Sequence, residues 1–546
     1  MTRSGVRSFA AIVLAGLVLH LVLVQPNHPA AMTWAALLVL PLELPVLIAG
    51  LVALPPGRLA QGVRGVLVAA LTLIAILKTA DYAMFTALGR GFNPVADLPL
   101  VVASLRLLDG TIGPLWTLAA AIGALGLVAG LVAALWWATG VWLRLVAPRP
   151  VALASGGAAI LASGVAVAEI GNAMGRWTVD APIPGAAFTA RVGLERVDMT
   201  LETVAELRTF GEAAAKDPLA YSGGLLDLID RDVLIVFVES YGRTSFDTPF
   251  FAERHLATLE RSVDRLEARG LAMRSGFVAA PTRGGQSWLS HATFANGLWI
   301  DNQTRYGAAL ASDRATLFHI AQDAGFRTAA VMPAITLEWP ESAFMGFDTV
   351  LAAKDLGYRG APFNWVTMPD QFTLAALDRQ LRDGTESKRP LFAQVALVSS
   401  HAPWVPVPSL IAWEAIGDGR VFNAMARSGD PPEVVWRDND RVRLQYRAAV
   451  DYALQTVFDY AARHADDPPL LFVIGDHQTA GFVALDTRPD VPVHVIGPDH
   501  LVAKIASWDW SDGLRPAGDV ATVPMDWLRD MILRSFSSGL AGGGGS

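Results

Sequence analysis

Five long apolar segments crowd the first 171 residues, at 8–24, 33–54, 65–88, 113–138 and 150–171. A bilayer core about 30 Å thick takes roughly 20 helical residues to cross, so each segment can span it. Only helices and closed barrels satisfy their own backbone in lipid, so this end of the chain is expected to be a helical membrane bundle. The first segment is long for a signal-peptide core and is followed by QPNHPAAM, a poor cleavage site, so it reads as an anchor. Arg3 and Arg7, Arg58 and Arg64, and Arg144 and Arg149 fall on one side of the membrane, which the positive-inside rule makes cytoplasmic. The loop at 25–32 has no Lys or Arg and the longer one at 89–112 has two, so both are expected outside. An odd number of spans then delivers residue 172 onward to the extracytoplasmic face. Lys78 and Asp81, near the outer end of the third span, read as an interfacial pair snorkelling to water, with substrate contact as the alternative.

Charge separates the chain into two chemically different parts. Through residue 171 there are 9 Lys and Arg against 5 Asp and Glu, and beyond it 34 against 46. The second part is acidic and long enough for its own core. It has no basic patch interleaved with aromatics, which argues against nucleic acid as a partner. Cysteine is absent, which removes disulfides, thiolate metal sites and cysteine nucleophiles together. The expected organisation is a five-span domain at 1–171, a linker with a helix near 199–215 at 172–231, an extracytoplasmic globular domain at 232–537, and a flexible Gly-rich tail at 538–546.

In the soluble part, runs rich in Val, Ile, Leu and Phe at 233–238, 328–331, 391–398, 470–474 and 491–496 read as buried strands. Helical patterns at 316–324, 442–465 and 520–536 lie between or after them, and this alternation implies a parallel or mostly parallel sheet covered on both faces. Ligands in such sheets bind beyond the carboxyl ends of the strands. The first run leads into Glu239, the third through Ser399 and Ser400 into His401, and the fourth through Gly475 into Asp476 and His477. A carboxylate and an Asp-His pair converging there would offer oxygen and imidazole ligands to one divalent cation such as Zn²⁺ or Mn²⁺. Asp476-His477 alone can equally be a strand-end turn carrying surface polar groups. The segment PTRGGQSWLSH, residues 281–291, is a glycine-bearing loop opening a helix toward Asn296. A hydroxyl there sits where backbone N–H groups favour an anion, and a nearby metal lowers its pKa. Ser287 or Thr282 can also be a simple N-cap, which any helix favours.

In chain order, Glu239 after a strand, a hydroxyl residue in a Gly-containing loop, the His of SSHAPW and the GDH of 475–477 resemble the alkaline phosphatase and sulfatase superfamily. The five spans, the helical linker and the extracytoplasmic domain narrow the resemblance to its membrane-anchored lipoteichoic acid synthase and phosphoglycerol transferase branch, over nearly the whole chain. The implied fold is an N-terminal bundle of five transmembrane α-helices plus a C-terminal α/β domain of alkaline phosphatase-like, sulfatase-like type. The resemblance implies one divalent metal ion, Zn or Mn, held by Glu239, Ser287, Asp476 and His477. Counting back from Asn296-Gly-Leu-Trp places the nucleophile on Ser287, where the family usually has Thr, with Thr282 as the fallback. It also implies that His401 binds the phosphoryl group or trades a proton beside it, and that Trp339 lines the head-group pocket.

Two departures bear on substrate. Glu341 stands where the family has Arg two positions after the aromatic, which weakens a glycerol phosphate reading. Ser287 is followed by Trp-Leu-Ser-His rather than the x-Pro-x-Arg of formylglycine sulfatases, so sulfate ester hydrolysis is disfavoured. The absence of cysteine leans away from the usually disulfide-bonded phosphoethanolamine transferases. The implied activity is metal-dependent transfer of a phosphoryl head group, phosphoglycerol or similar, from a phospholipid donor to an extracytoplasmic glycan or lipid acceptor. It would pass through a covalent Ser287 intermediate, in a multi-pass protein of the cell (inner) membrane with a periplasmic catalytic domain. A membrane-anchored phosphodiesterase or phosphatase is the alternative. An inactive lipid- or partner-binding membrane protein is the third reading, against which the intact ligand set argues.

Overall fold

The computed structural model describes residues 3–88, 90–145, 147–219, 222–383 and 389–540; the Gly-rich run from 541 lies outside them. The chain divides into two compact units, Met1–Glu206 and Leu207–Ser546.

The first unit is helical. Arg58–Ala87, Pro114–Leu143 and Arg149–Ala173 are long and apolar enough to cross a membrane, and Ser8–Val24 and Glu43–Ala53 are shorter apolar helices. Leu125 and Leu127, on Pro114–Leu143, are 71% and 78% exposed. A helix whose apolar side chains point outward suits a lipid surroundings. The expected second span is not one helix. Residues 34–38 form a 3-10 stretch, and Glu43–Ala53 has only 11 residues, about 16 Å of helix. Pro41 lacks an N–H and disfavours helix at Leu40. The chain pairs there instead with the segment at Ala186, through Leu42 N to Ala186 O at 3.0 Å and Ala186 N to Leu40 O at 3.1 Å. The loop expected at 89–112 contains the helix Leu98–Ile112, and Gly89 lies outside the described residues.

Lys78 and Asp81 do not snorkel, because both are fully buried. Lys78 Nζ donates to Leu23 O at 3.0 Å and to Thr189 Oγ1 at 2.7 Å. Asp81 accepts from Arg196 at 2.6 Å and from Phe92 N at 2.9 Å. Buried charges persist when paired and hydrogen-bonded, and here the partners Thr189 and Arg196 come from the helix Phe188–Ala214. That helix starts well before the expected 199.

The second unit is built on a nine-stranded mixed sheet. Its strands are β1 Val233–Val238, β2 Ala272–Ala279, β3 Arg327–Met332, β4 Thr349–Ala352, β5 Leu391–Leu397, β6 Leu470–Gly475, β7 Asp490–Gly497, β8 Ser511–Asp512 and β9 Val523–Pro524. The order is β4-β3-β5-β1-β6-β7-β2-β8, with β9 beside β2. From β4 to β6 all neighbours are parallel, and β7 pairs antiparallel with both β6 and β2. The central strand β1 shows why its run is continuously apolar. Leu234, Val236 and Val238 enter one core while Val233, Ile235 and Phe237 enter the other, so both faces are covered. Within the expected helix at 520–536 only Trp527–Phe536 is helical, because Val523 and Pro524 join the sheet edge beside β2. Ser538 N donates to Asp227 Oδ1 at 2.8 Å, so the segment to Leu540 belongs to the fold rather than to a free tail.

Candidate active site and metal centre

β1 and β6 run side by side in register, Val238 against Gly475, so Glu239 and Asp476 leave the sheet together. Gly475 makes this possible, since a Cβ there would lie 1.9 Å from Tyr241 O. The two strand-end turns close on each other through Asp476 Oδ1, which accepts from Ser240 N at 2.7 Å and from His477 N at 2.6 Å. Gly475→Ala is therefore expected to cost about 1–3 kcal/mol in denaturant unfolding, as overpacking does, and to lower metal content with it. A variant as stable as the parent would show that the turns have room to part.

Glu239, Asp476 and His477 are all buried, and one ligand atom from each lies within 4.8 Å of the others. His477 Nδ1 donates to Gln478 O at 3.1 Å, so Nε2 is the nitrogen that faces the carboxylates. Nε2 stands 3.2 Å from Glu239 Oε1 and 3.9 Å from Asp476 Oδ1 without hydrogen-bond geometry. Burial works against every charge here. It pushes Asp476 well above the usual carboxylate range, reinforced by the charge of Glu239. Glu239 is held well below that range despite its burial, because His477 and His401 face it. Burial alone would lower His477, but Asp476 and Glu239 carry it up to about 9. Two buried carboxylates and an imidazole nitrogen that makes no hydrogen bond converge on one point, and these residues fit a divalent cation.

Ser287 is the first residue of the helix Ser287–Asn296, and Gln286, at φ 64° and ψ 39°, occupies the N-cap position. The N-cap reading of Ser287 therefore does not hold. The left-handed conformation of a non-glycine residue is strained by about 1 kcal/mol or more, and such strain clusters at functional sites. Gln478 O ties the loop to the metal cluster, because it accepts from Gly284 N at 2.7 Å as well as from His477. Thr282 is buried, with Oγ1 3.4 Å from Ser290 Oγ.

Ser287, Glu239, Asp476 and Trp339 open on one cavity of about 360 Å³, within the range of small-ligand sites. Thr282 is not among its walls. His401 is not either, but its charge reaches Glu239. His401 Nδ1 donates to Ala402 O at 2.6 Å, leaving Nε2 to accept or pass a proton. The cavity also gathers residues not expected from sequence, among them Trp288, His291, Gln303 and Tyr306. His291 lies one turn after Ser287, so the i, i+4 spacing was the available signal. Burial lowers its pKa to about 4, and its Nε2 has no hydrogen-bond partner. Trp288 Nε1 donates to Gln303 Oε1 at 3.0 Å.

Residues 231–483 match the sulfatase family model. This segment contains β1 through β6 together with Glu239, Ser287, Trp339, His401, Asp476 and His477. Among solved structures, the chain is similar to the lipoteichoic acid synthase LtaP of Listeria monocytogenes, at 13% identity and TM-score 0.36 over 54% of this chain and 72% of that one. It is also similar to the phosphoglycerol transferase GacH of Streptococcus pyogenes, solved with sn-glycerol-1-phosphate, at 13% identity and TM-score 0.36 over 61% and 91%. A protein of the alkaline phosphatase superfamily from Vibrio parahaemolyticus gives 18% identity and TM-score 0.34 over 54% and 69%. No curated protein matches the chain.

Proposed function

We propose that this protein is a membrane-anchored, metal-dependent phosphotransferase that moves a phosphoryl head group from a phospholipid to an extracytoplasmic glycan or lipid acceptor. The observation that carries the reading is the cavity shared by the Ser287 hydroxyl and the Glu239–Asp476 carboxylates, with His477 completing the ligand cluster. Ser287 Oγ attacks the phosphorus of the donor diester. An Oγ–P bond forms, the P–O bond to diacylglycerol breaks, and the proton given up by Ser287 ends on the diacylglycerol oxygen with His401 as carrier. An acceptor hydroxyl then attacks the same phosphorus, the Oγ–P bond breaks, and its proton returns to Ser287. A bound Zn²⁺ or Mn²⁺, held by Glu239, Asp476 and His477 with Ser287, supplies positive charge that acidifies the hydroxyl and neutralises phosphoryl oxygens. The test is product analysis with purified protein and labelled phospholipid, together with the mass of the adduct on Ser287. Head group passed to an acceptor supports transfer, and head group released to water would make the protein a phosphodiesterase.

Membrane placement rests on the three long apolar helices and the Arg distribution. An extracytoplasmic placement of residues 231–483 is the proposed topology: Arg58 and Arg64 open the first long helix and Arg144 and Arg149 lie at the junction of the second and third, so the third ends outside. A reporter fused after Leu540 is expected to be extracytoplasmic, and cytoplasmic activity would sink both the topology and the choice of acceptor.

A further inference from the structure

We infer that Glu341, with Trp288, Tyr306 and Trp339, forms a subsite for a positively charged amine on the donor head group. The inference rests on the phosphoryl-transfer reading and names the head group that this site selects. Glu341 is the one carboxylate in the cavity wall outside the metal cluster, and no Lys or Arg lines the cavity among the described residues. It sits in the 3-10 turn Pro340–Phe344, two residues after Trp339. It is half-buried and has no ion-pair or hydrogen-bond partner among the described residues. The rings of Trp288, Tyr306 and Trp339 line the same cavity, and aromatic faces attract cations.

The field of Glu341 reaches its neighbours. Burial raises the Tyr306 phenol to about 12, the charge of Glu341 adds to the rise, and a hydrogen bond with Trp339 opposes it. Tyr306 is therefore a neutral ring at physiological pH. An uncompensated carboxylate beside apolar rings is unfavourable, and an ammonium entering the wall relieves it. A neutral diol gives no such relief, and an anionic head group is repelled. The phosphate of the donor has the metal cluster for its charge, so the amine is the group left for Glu341 to hold. Phosphoglycerol, the head group implied by the family resemblance, does not meet this wall.

The test uses the full chain loaded with Mn²⁺ in detergent. Calorimetric titration compares O-phosphoethanolamine with sn-glycerol-1-phosphate, and diacylglycerol release compares vesicles of phosphatidylethanolamine with vesicles of phosphatidylglycerol. The amine ligand is expected to bind at least tenfold tighter, Glu341→Gln to abolish the difference, and Glu341→Arg to reverse it, with melting temperatures unchanged. Equal binding of the two ligands, or equal turnover of the two lipids, overturns the subsite and leaves phosphoryl transfer standing. Preferential amine binding with no diacylglycerol released from either lipid supports the subsite and overturns the transfer reading instead.

Discussion

Ser287→Ala is expected to lower head-group release by roughly 10⁴-fold or more, the scale on which losing a nucleophile is felt. The fold should survive, because Gln286 rather than Ser287 stands at the N-cap and the removed atom faces the cavity. Ser287→Thr should keep part of the activity, since the hydroxyl remains. Thr282→Ala should be mild in turnover, because Thr282 lies outside the cavity wall, with Oγ1 3.4 Å from Ser290 Oγ. The measurement is head-group release for the three variants, with thermal melting as the control. A dead Thr282→Ala beside an active Ser287→Ala would move the nucleophile five residues upstream.

How much of this was legible in the sequence depends on how local each signal is. β1 and β6 are unbroken apolar runs because both faces of the sheet are covered, and β5 and β7 are interrupted inside only by Gln394 and His494, so all four are easy to read. β2 escaped because Arg274, Ser275 and Gly276 interrupt its pattern. The Ser275 hydroxyl is buried and bonded to His494 Nδ1 at 2.7 Å, a partner 219 residues away. The apolar segment at 33–54 was misleading for the converse reason. Hydropathy does not separate a helix from an extended stretch, and Pro41 decided the matter together with Ala186. The clustering of Glu239, Asp476 and His477 was visible because neighbouring parallel strands end side by side. Tyr306 and Gln303 were not, because a separate short helix, Gln303–Leu310, carries them to the cavity.

Replacing the proposed metal ligands should have the second-largest effect. His477→Ala removes the imidazole whose Nε2 faces Glu239 at 3.2 Å, and Asp476→Ala also strips an acceptor from the N–H groups of Ser240 and His477. Each is expected to lose roughly 100-fold or more in metal affinity and activity, since even groups behind the ligands are commonly worth 10–100-fold. Elemental analysis of purified variants reads metal content, and activity restored to chelator-treated parent by Zn²⁺ or Mn²⁺ identifies the ion. Full occupancy in the double variant would place the site elsewhere. His477→Ala should leave melting of the metal-free protein less affected than Asp476→Ala, because it orphans only the Gln478 carbonyl, which Gly284 N still serves.

The sheet order separates two tasks. The Glu239–Asp476–His477 cluster is pinned by hydrogen bonds between the turns after β1 and β6 and the loop before Ser287. Trp339 and Glu341 stand on the excursion between β3 and β4, two places out from β1 across β5. If the proposed subsite selects the donor, substitutions in that excursion are expected to change donor preference while leaving metal content unchanged. A loop between two outer strands thus carries the recognition side chains, while the cluster itself hangs on the two central strands that the rest of the sheet holds in place.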